Sequence, residues 1–183
     1  MAVGILKAYE KMPMLNSACI LLIGSDIEQQ QQLADAILKE ERTFRIKIHL
    51  ATSLPLPSSM DALRPRIDLV VFLINLHSKK SLTTVEMSLP YLDKNLFIGK
   101  VYFLATGAAR REHCSVEMYD VKKLADAYCS PVFFMELESE KSRSVTAERL
   151  IEVLRIAAGH VQGMSSVFLS SLLMPFHRDS DDF

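Results

Sequence analysis

The chain contains four short runs of apolar residues that are continuous and do not alternate with polar ones. Such runs are typical of strands covered on both faces, as in parallel sheets. We therefore predict four buried strands. They are Ala18–Ile23, Leu69–Ile74, Val101–Ala105 and Val132–Met135.

A different pattern lies between the first two of these runs. Ile46, Ile48 and Leu50 alternate with the polar residues Lys47 and His49. Alternation of this kind indicates a strand with one exposed face. We predict a fifth strand here, at an edge of the sheet.

Helical periodicity fills the segments between these strands. Strands that alternate with helices predict a doubly wound, three-layer α/β fold. In such a fold a mostly parallel sheet is flanked by helices. The apolar stripes are Leu33, Ala34, Ile37 and Leu38, then Val121, Leu124, Ala125 and Tyr128, and finally Ala147–Ala158.

The length of 183 residues fits one domain, which we expect to span residues 1–175. We expect the acidic tail, residues 176–183, to be disordered. The net charge of −1 argues against direct DNA contact. Three cysteines without paired spacing indicate a reducing compartment, the cytosol or the nucleus. No apolar run approaches the ~20 residues of a membrane span, so we expect no membrane contact.

The segment after the first predicted strand lies where doubly wound proteins bind ligands. A phosphate-binding loop there would read G-x-x-x-x-G-K-[ST]. Gly24 matches the first glycine, but Gln29 replaces the second glycine, Gln30 the lysine and Gln31 the hydroxyl residue. The loop is therefore predicted to be a degenerate nucleotide site.

These replacements remove the charge and the hydroxyl that hold phosphate and Mg²⁺, and Asp26 and Glu28 add negative charge beside them. Losing three charge-assisted contacts of ~1.5–3 kcal/mol each costs ~4.5–9 kcal/mol. That cost corresponds to a loss of affinity on the order of 10³–10⁶. We predict no cofactor, no small-molecule substrate and no enzymatic activity. The alternative is a divergent nucleotide-binding switch with weak residual GTP binding.

The other positions that read a nucleotide in GTPases are also altered. Asn75-Leu76-His77-Ser78 stands after the third strand in place of Asp-x-x-Gly. Thr106-Gly107-Ala108-Ala109 stands where Asn-Lys-x-Asp would read guanine. His113-Cys114 has no second pair at zinc spacing. We therefore predict no catalytic residues and no metal ligands.

Apolar residues in two segments exceed what the predicted core needs. One lies beyond the last sheet-covering helix, and the other enters the fourth strand from a loop. A surplus apolar patch marks a partner surface, and ordinary core is the alternative. The candidate partner-binding residues are Leu96, Phe97, Ile98, Met164, Val167, Phe168 and Leu172.

An ordered set of short segments resembles the centromere protein M family of vertebrate kinetochore subunits, over roughly residues 10–173. No single segment is diagnostic, but the order is specific. The segments are Ser53–Ser59, Arg64–Leu69, Phe72, Asn75–Lys79, Gly99–Val101, Phe103–Ala108, His113–Ser115, Lys123–Ala125, Ser130-Pro131 and Ala158–Val161.

The resemblance implies a P-loop-type, small-GTPase-like fold. It also implies a pseudo-GTPase, that is, a domain of this fold that neither binds nor hydrolyses GTP. It implies a structural subunit of the constitutive centromere-associated network in the inner kinetochore, located at the centromere in the nucleus. The implied partners are centromere protein I, bound directly, and centromere proteins H and K in the same complex. The implied role is support of kinetochore assembly and chromosome segregation in mitosis. The family supplies no catalytic residues to carry over.

Overall fold

The computed structural model describes residues 5–8, 11–57 and 66–174. Within these residues, five strands are interspersed with five α-helices, as expected for an α/β domain, although β3 follows β2 and α5 follows α4 directly. The strands are β1 (Ser17–Ile23), β2 (Arg45–Ala51), β3 (Leu69–Asn75), β4 (Val101–Thr106) and β5 (Val132–Phe134). The helices are α1 (Ile27–Lys39), α2 (Lys79–Ser88), α3 (Met118–Ala127), α4 (Glu140–Ala157) and α5 (Ser166–Leu173).

The strands form one sheet in the order β2-β1-β3-β4-β5. Each pairing between these strands is parallel. All five predicted strands are confirmed, including the edge position of β2. The direction of winding reverses between β1 and β3, so the sheet has one switch point, beside the end of β1.

Both faces of the sheet are covered, which explains the continuous apolar runs. In β1, Ile20 and Leu22 point to the core shared with α1 and α4, whereas Leu21 and Ile23 point to the opposite core. That second core also contains Val85 of α2 and Val121 of α3. The sheet is therefore the middle of three layers, as predicted.

Helix α2 is an element that the apolar pattern did not predict. Its buried residues are one large apolar side chain, Val85, and two serines, Ser81 and Ser88. Leu82 is only partly buried against the same core. Both serine hydroxyls accept backbone N–H bonds, from Asn75 at 2.9 Å and from Leu54 at 3.0 Å. Because polar side chains do part of the packing, the helix has a weak apolar stripe.

The N-terminal segment adds a short strap to the fold. Leu6 forms a parallel bridge with Leu92, donates its N–H to Tyr91 O at 2.7 Å, and accepts from Asp93 N at 2.9 Å. Its side chain is only 1% exposed and lies in the core beneath α2 and α3. The strap therefore fixes the segment that leads into β4. The predicted disordered tail, residues 176–183, lies outside the described residues.

Replacing Leu6 by alanine should destabilise the protein by about 2–5 kcal/mol, because it leaves a cavity in a closed core. Chemical denaturation would measure the free energy of unfolding. Leu15→Ala is the matched control, since Leu15 is 96% exposed, and it should change stability by less than about 0.5 kcal/mol. Equal effects of the two substitutions would show that the strap is not part of the core.

Candidate functional site

The predicted ligand loop lies at the carboxyl end of β1, at the switch point of the sheet. β2 and β3 flank it on either side. Space here is limited: a Cβ atom added to Gly24 would lie 3.0 Å from Leu73 O and 3.2 Å from Gln30 Nε2. A side chain at this position would therefore crowd the neighbouring strand β3 and the Gln30 amide.

Asp26 supplies the negative group at the start of α1. Its Oδ1 accepts the N–H of Gln29 at 3.1 Å, and its carbonyl accepts the N–H of Gln30 at 3.2 Å. A carboxylate in this position satisfies a free N–H and interacts favourably with the helix dipole. It does so where a phosphate would approach the helix. A carboxylate of the chain itself therefore satisfies an N–H group in the first turn of α1.

Gln30, at the lysine position of a phosphate loop, fills the loop from within. The residue is buried, 1% exposed. Its Nε2 donates to Gly24 O and, at 3.3 Å, to Ala51 O at the end of β2. The amide therefore joins the loop to the edge strand, and the loop is filled by this side chain.

The other two replaced positions, Gln29 and Gln31, form different hydrogen bonds. Thr106, at the end of β4, donates its hydroxyl proton to Gln29 Oε1 at 3.1 Å. Gln31 points away and donates to Asp35 Oδ1 at 3.0 Å on the exposed surface of α1. The sequence did not single out Thr106 as a partner of Gln29, since its only signal is a polar residue at the end of an apolar run.

The loops after β3, β4 and β5 are bonded to one another. His77 Nε2 lies 3.0 Å from Gly107 O, and the N–H of His77 donates to Asn75 Oδ1 at 3.0 Å. The N–H of Ala109 donates to Glu136 Oε1 at 2.9 Å. These positions, where a GTPase would read its nucleotide, therefore carry contacts that stabilise the edge of the sheet.

The cysteine thiols and the metal-ligating side chains are the other candidate reactive groups. Burial, with a contribution from Asp68, raises the pKa of the Cys19 thiol to about 12, so Cys19 is a poor nucleophile. The Cys114 thiol donates to Gly107 O at 3.5 Å. Among the described residues, no three His, Cys, Asp or Glu side chains are placed to hold a metal ion. None of the described helices has the length and apolarity to cross a membrane.

The first apolar candidate segment is only partly at the surface. Leu96 is buried and packs in the core, so it is not available to a partner in this conformation. Its place in a 3-10 helix, Lys94–Phe97, turns it inward. Phe97 is half-buried, with its ring centroid 5.1 Å from that of Tyr128. Ile98 is 50% exposed.

The second candidate segment forms α5, which carries no charged side chain. Leu169 and Ser170 face the protein, and Met164 before the helix is half-buried. Val167, Phe168 and Leu172 are exposed by 52%, 52% and 58%. One face of α5 is therefore apolar and uncovered by the described residues.

The two candidate segments lie side by side. A Cβ atom added to Gly99, which has a φ of +82°, would lie 2.8 Å from Val167 N. The turn that carries Ile98 therefore contacts the first turn of α5. We call Ile98, Val167, Phe168 and Leu172 together the α5 patch.

Fold and loop together define a doubly wound α/β domain whose ligand loop is filled by its own side chains. The family model for centromere protein M matches residues 3–176, and the chain belongs to this family. It is 52% identical to human centromere protein M, covering 93% of both chains. It is 51% identical to centromere protein M of Xenopus laevis, covering 91% of this chain and 93% of the relative. It is 53% identical to centromere protein M of Bos taurus, with 92% of each chain covered.

Replacing Gln30 by alanine should lower the free energy of unfolding by about 1–3 kcal/mol, because buried carbonyl oxygens lose their donor. Thermal or chemical denaturation would measure the change. Gln31→Ala removes the same chemical group from the exposed face of α1 and should have an effect below about 0.5 kcal/mol. A Gln30→Ala protein as stable as Gln31→Ala would contradict the structural role of Gln30.

Proposed function

We propose that this protein is a non-enzymatic structural subunit of the inner kinetochore, with a pseudo-GTPase domain that binds and stabilises centromere protein I. In this proposal, centromere proteins H and K belong to the same complex, within the constitutive centromere-associated network. Membership of the centromere protein M family puts the chain among centromere proteins, and hence in the nucleus. Its role there is to support kinetochore assembly and chromosome segregation.

The filled loop supports the non-enzymatic part of the proposal. Asp26 and Gln30 satisfy groups that a phosphate and a lysine would satisfy in a nucleotide-binding relative. A nucleotide would have to displace the buried amide of Gln30 and approach the carboxylate of Asp26. Both steps oppose binding, because one exposes buried acceptors and the other brings like charges together.

The single observation that carries the partner-binding part is the α5 patch. A helix with no charged residue, with Val167, Phe168 and Leu172 about half exposed, is unusual on a soluble surface. Ile98, which is half exposed, lies in the turn that contacts the start of α5. An apolar helix face of this kind fits an apolar groove or helix on a partner.

The double substitution Val167→Glu with Phe168→Glu should weaken binding to centromere protein I by at least about 100-fold, because unpaired carboxylates would be buried in the interface. Biolayer interferometry with purified centromere protein I would measure the dissociation constant. Circular dichroism would establish that the variant is folded.

The matched control is Val145→Glu, which places the same charge on an exposed valine of α4 away from the patch. Val145 is 47% exposed, similar to Val167. The control should bind with wild-type affinity. A folded double variant with unchanged affinity would refute the α5 patch as the interface, and no binding by the wild-type chain would refute the partner.

Isothermal titration calorimetry with GTP, GDP and ATP in Mg²⁺ separates this proposal from a nucleotide switch. We expect no binding at micromolar concentrations, because the loop lacks the lysine and the hydroxyl of a phosphate site. Micromolar or tighter binding that is altered by Gln30→Ala but not by Gln31→Ala would establish the switch instead.

A further inference from the structure

Lys100 is a buried cation that the proposed function does not yet use. It lies immediately before β4, at the amino edge of the sheet, and is only 4% exposed. Burial, reinforced by Arg66 and opposed by Asp68, lowers the pKa of its ammonium group. A lysine is rarely buried this deeply without specific partners.

The side chain of Lys100 reaches the end of α4. Nζ donates a hydrogen bond of 2.7 Å to the carbonyl oxygen of Ala157, the last residue of that helix. The last four carbonyls of a helix lack partners within the helix, and a cation there interacts favourably with the helix dipole. Lys100 therefore fixes the point where α4 ends and the connection to α5 begins.

Charged neighbours hold this end of the sheet in place. Asp68, which precedes β3, pairs with Arg66 through Nε at 3.1 Å and accepts the N–H of Cys19 at 2.9 Å. Both side chains of the pair are largely buried. Asp68 is also the nearby negative charge that favours the charged form of Lys100. The ammonium group thus lies among fixed partners.

The backbone of Lys100 belongs to the turn that carries Ile98. Its N–H donates to Leu96 O at 3.0 Å, and its carbonyl accepts from Val70 N at 2.9 Å. Gly99, the preceding residue, contacts the backbone of Ser166 and Val167 at the start of α5. Two consecutive residues therefore join the turn to α4 on one side and to α5 on the other.

We infer that Lys100, together with Gly99, is a positioning residue for partner binding. Lys100 holds the α4–α5 corner, the connection between Ala157 and Ser166, against the turn before β4. Ile98 and the exposed face of α5 then form one preorganised surface. This inference rests on the proposed function, in which the α5 patch binds centromere protein I. Neither residue has to touch the partner.

A specific kinetic signature follows from positioning. If Lys100→Met lowers the binding-competent fraction of the protein to about one tenth, the apparent dissociation constant rises about tenfold. The association rate constant should fall, whereas the dissociation rate constant of the formed complex should change little. The contact variant Val167→Glu should instead raise the dissociation rate constant.

The test compares Lys100→Met, Lys100→Arg and Leu76→Ala by biolayer interferometry and by amide hydrogen exchange. Lys100→Met should increase exchange across Ser166–Leu173 about tenfold more than across α1. Lys100→Arg keeps the charge and the donors and should recover most of the association rate. Leu76→Ala destabilises the buried core at the opposite edge of the sheet, and should not alter exchange in α5 selectively.

Two results would overturn the inference. One is a folded Lys100→Met protein with wild-type α5 exchange and association rate. The other is a Lys100→Met protein whose α5 exchange and association rate both change, but no more than in a Leu76→Ala protein with the same loss of melting temperature. If Lys100→Met does not fold, Gly99→Ala decides, since its Cβ atom would press on the α5 backbone. Normal α5 exchange and association in Gly99→Ala would then refute the inference.

The exchange measurement also separates the two proposals. If the wild-type protein does not bind centromere protein I, the proposed function fails, and selective exchange in α5 still reports whether Lys100 holds the corner. If binding is normal and sensitive to Val167→Glu but insensitive to Lys100→Met, only the positioning role fails.

Discussion

Covering both faces of an all-parallel sheet is the constraint on which the rest of this structure depends. Parallel strands need crossover connections, and the crossover helices here are α1 on one face and α2 and α3 on the other. Helix α4, which follows the last strand, covers the first face together with α1. With its strands enclosed, the sheet offers partners only its edges and the outer surfaces of its helices. The carboxyl edge contains the ligand loop, and the amino edge contains the buried charges beneath α4. The short α5, added after the sheet is covered, leaves one apolar face in solvent.

At both edges of the sheet, a helix end leaves backbone groups without partners within the helix, and different side chains satisfy them. At the carboxyl edge, the N-terminal end of α1 is satisfied by Asp26, and Gln30 bridges the loop to β2. At the amino edge, the C-terminal end of α4 is satisfied by Lys100. Gln30 and Lys100 are each distant in sequence from the carbonyl group that they bond. Both complete the hydrogen bonding of buried backbone. At each edge, these hydrogen bonds are made within the chain itself.

Sequence patterns predicted the strands well because burial on both faces leaves a strong local signal, and the register of β3 with β4 pairs Phe72 with Phe103 accordingly. Helix α2 escaped prediction because Ser81 and Ser88 replace apolar side chains on its buried face. The inward direction of Leu96 could not be read from composition, since buried and exposed apolar residues look alike along the chain. The loop was predicted to be degenerate, but the bond of Gln30 to Ala51 depends on residues far apart in sequence. Leu6 and Lys100 were missed for the same reason.

The filled loop has a consequence for timing. In a nucleotide-driven switch, contacts with the γ-phosphate stabilise one conformation, and hydrolysis of the nucleotide releases that conformation. The rate of hydrolysis therefore sets how long the active state lasts. Here the residues that would respond to that ligand are bonded to the chain itself, and a ligand with no preference between conformations cannot shift their populations. On the proposed function, the lifetime of the complex is then set by the concentration of its subunits and their rates of dissociation. Such a subunit would be regulated through its synthesis and degradation, and not through a cycle of nucleotide binding and hydrolysis.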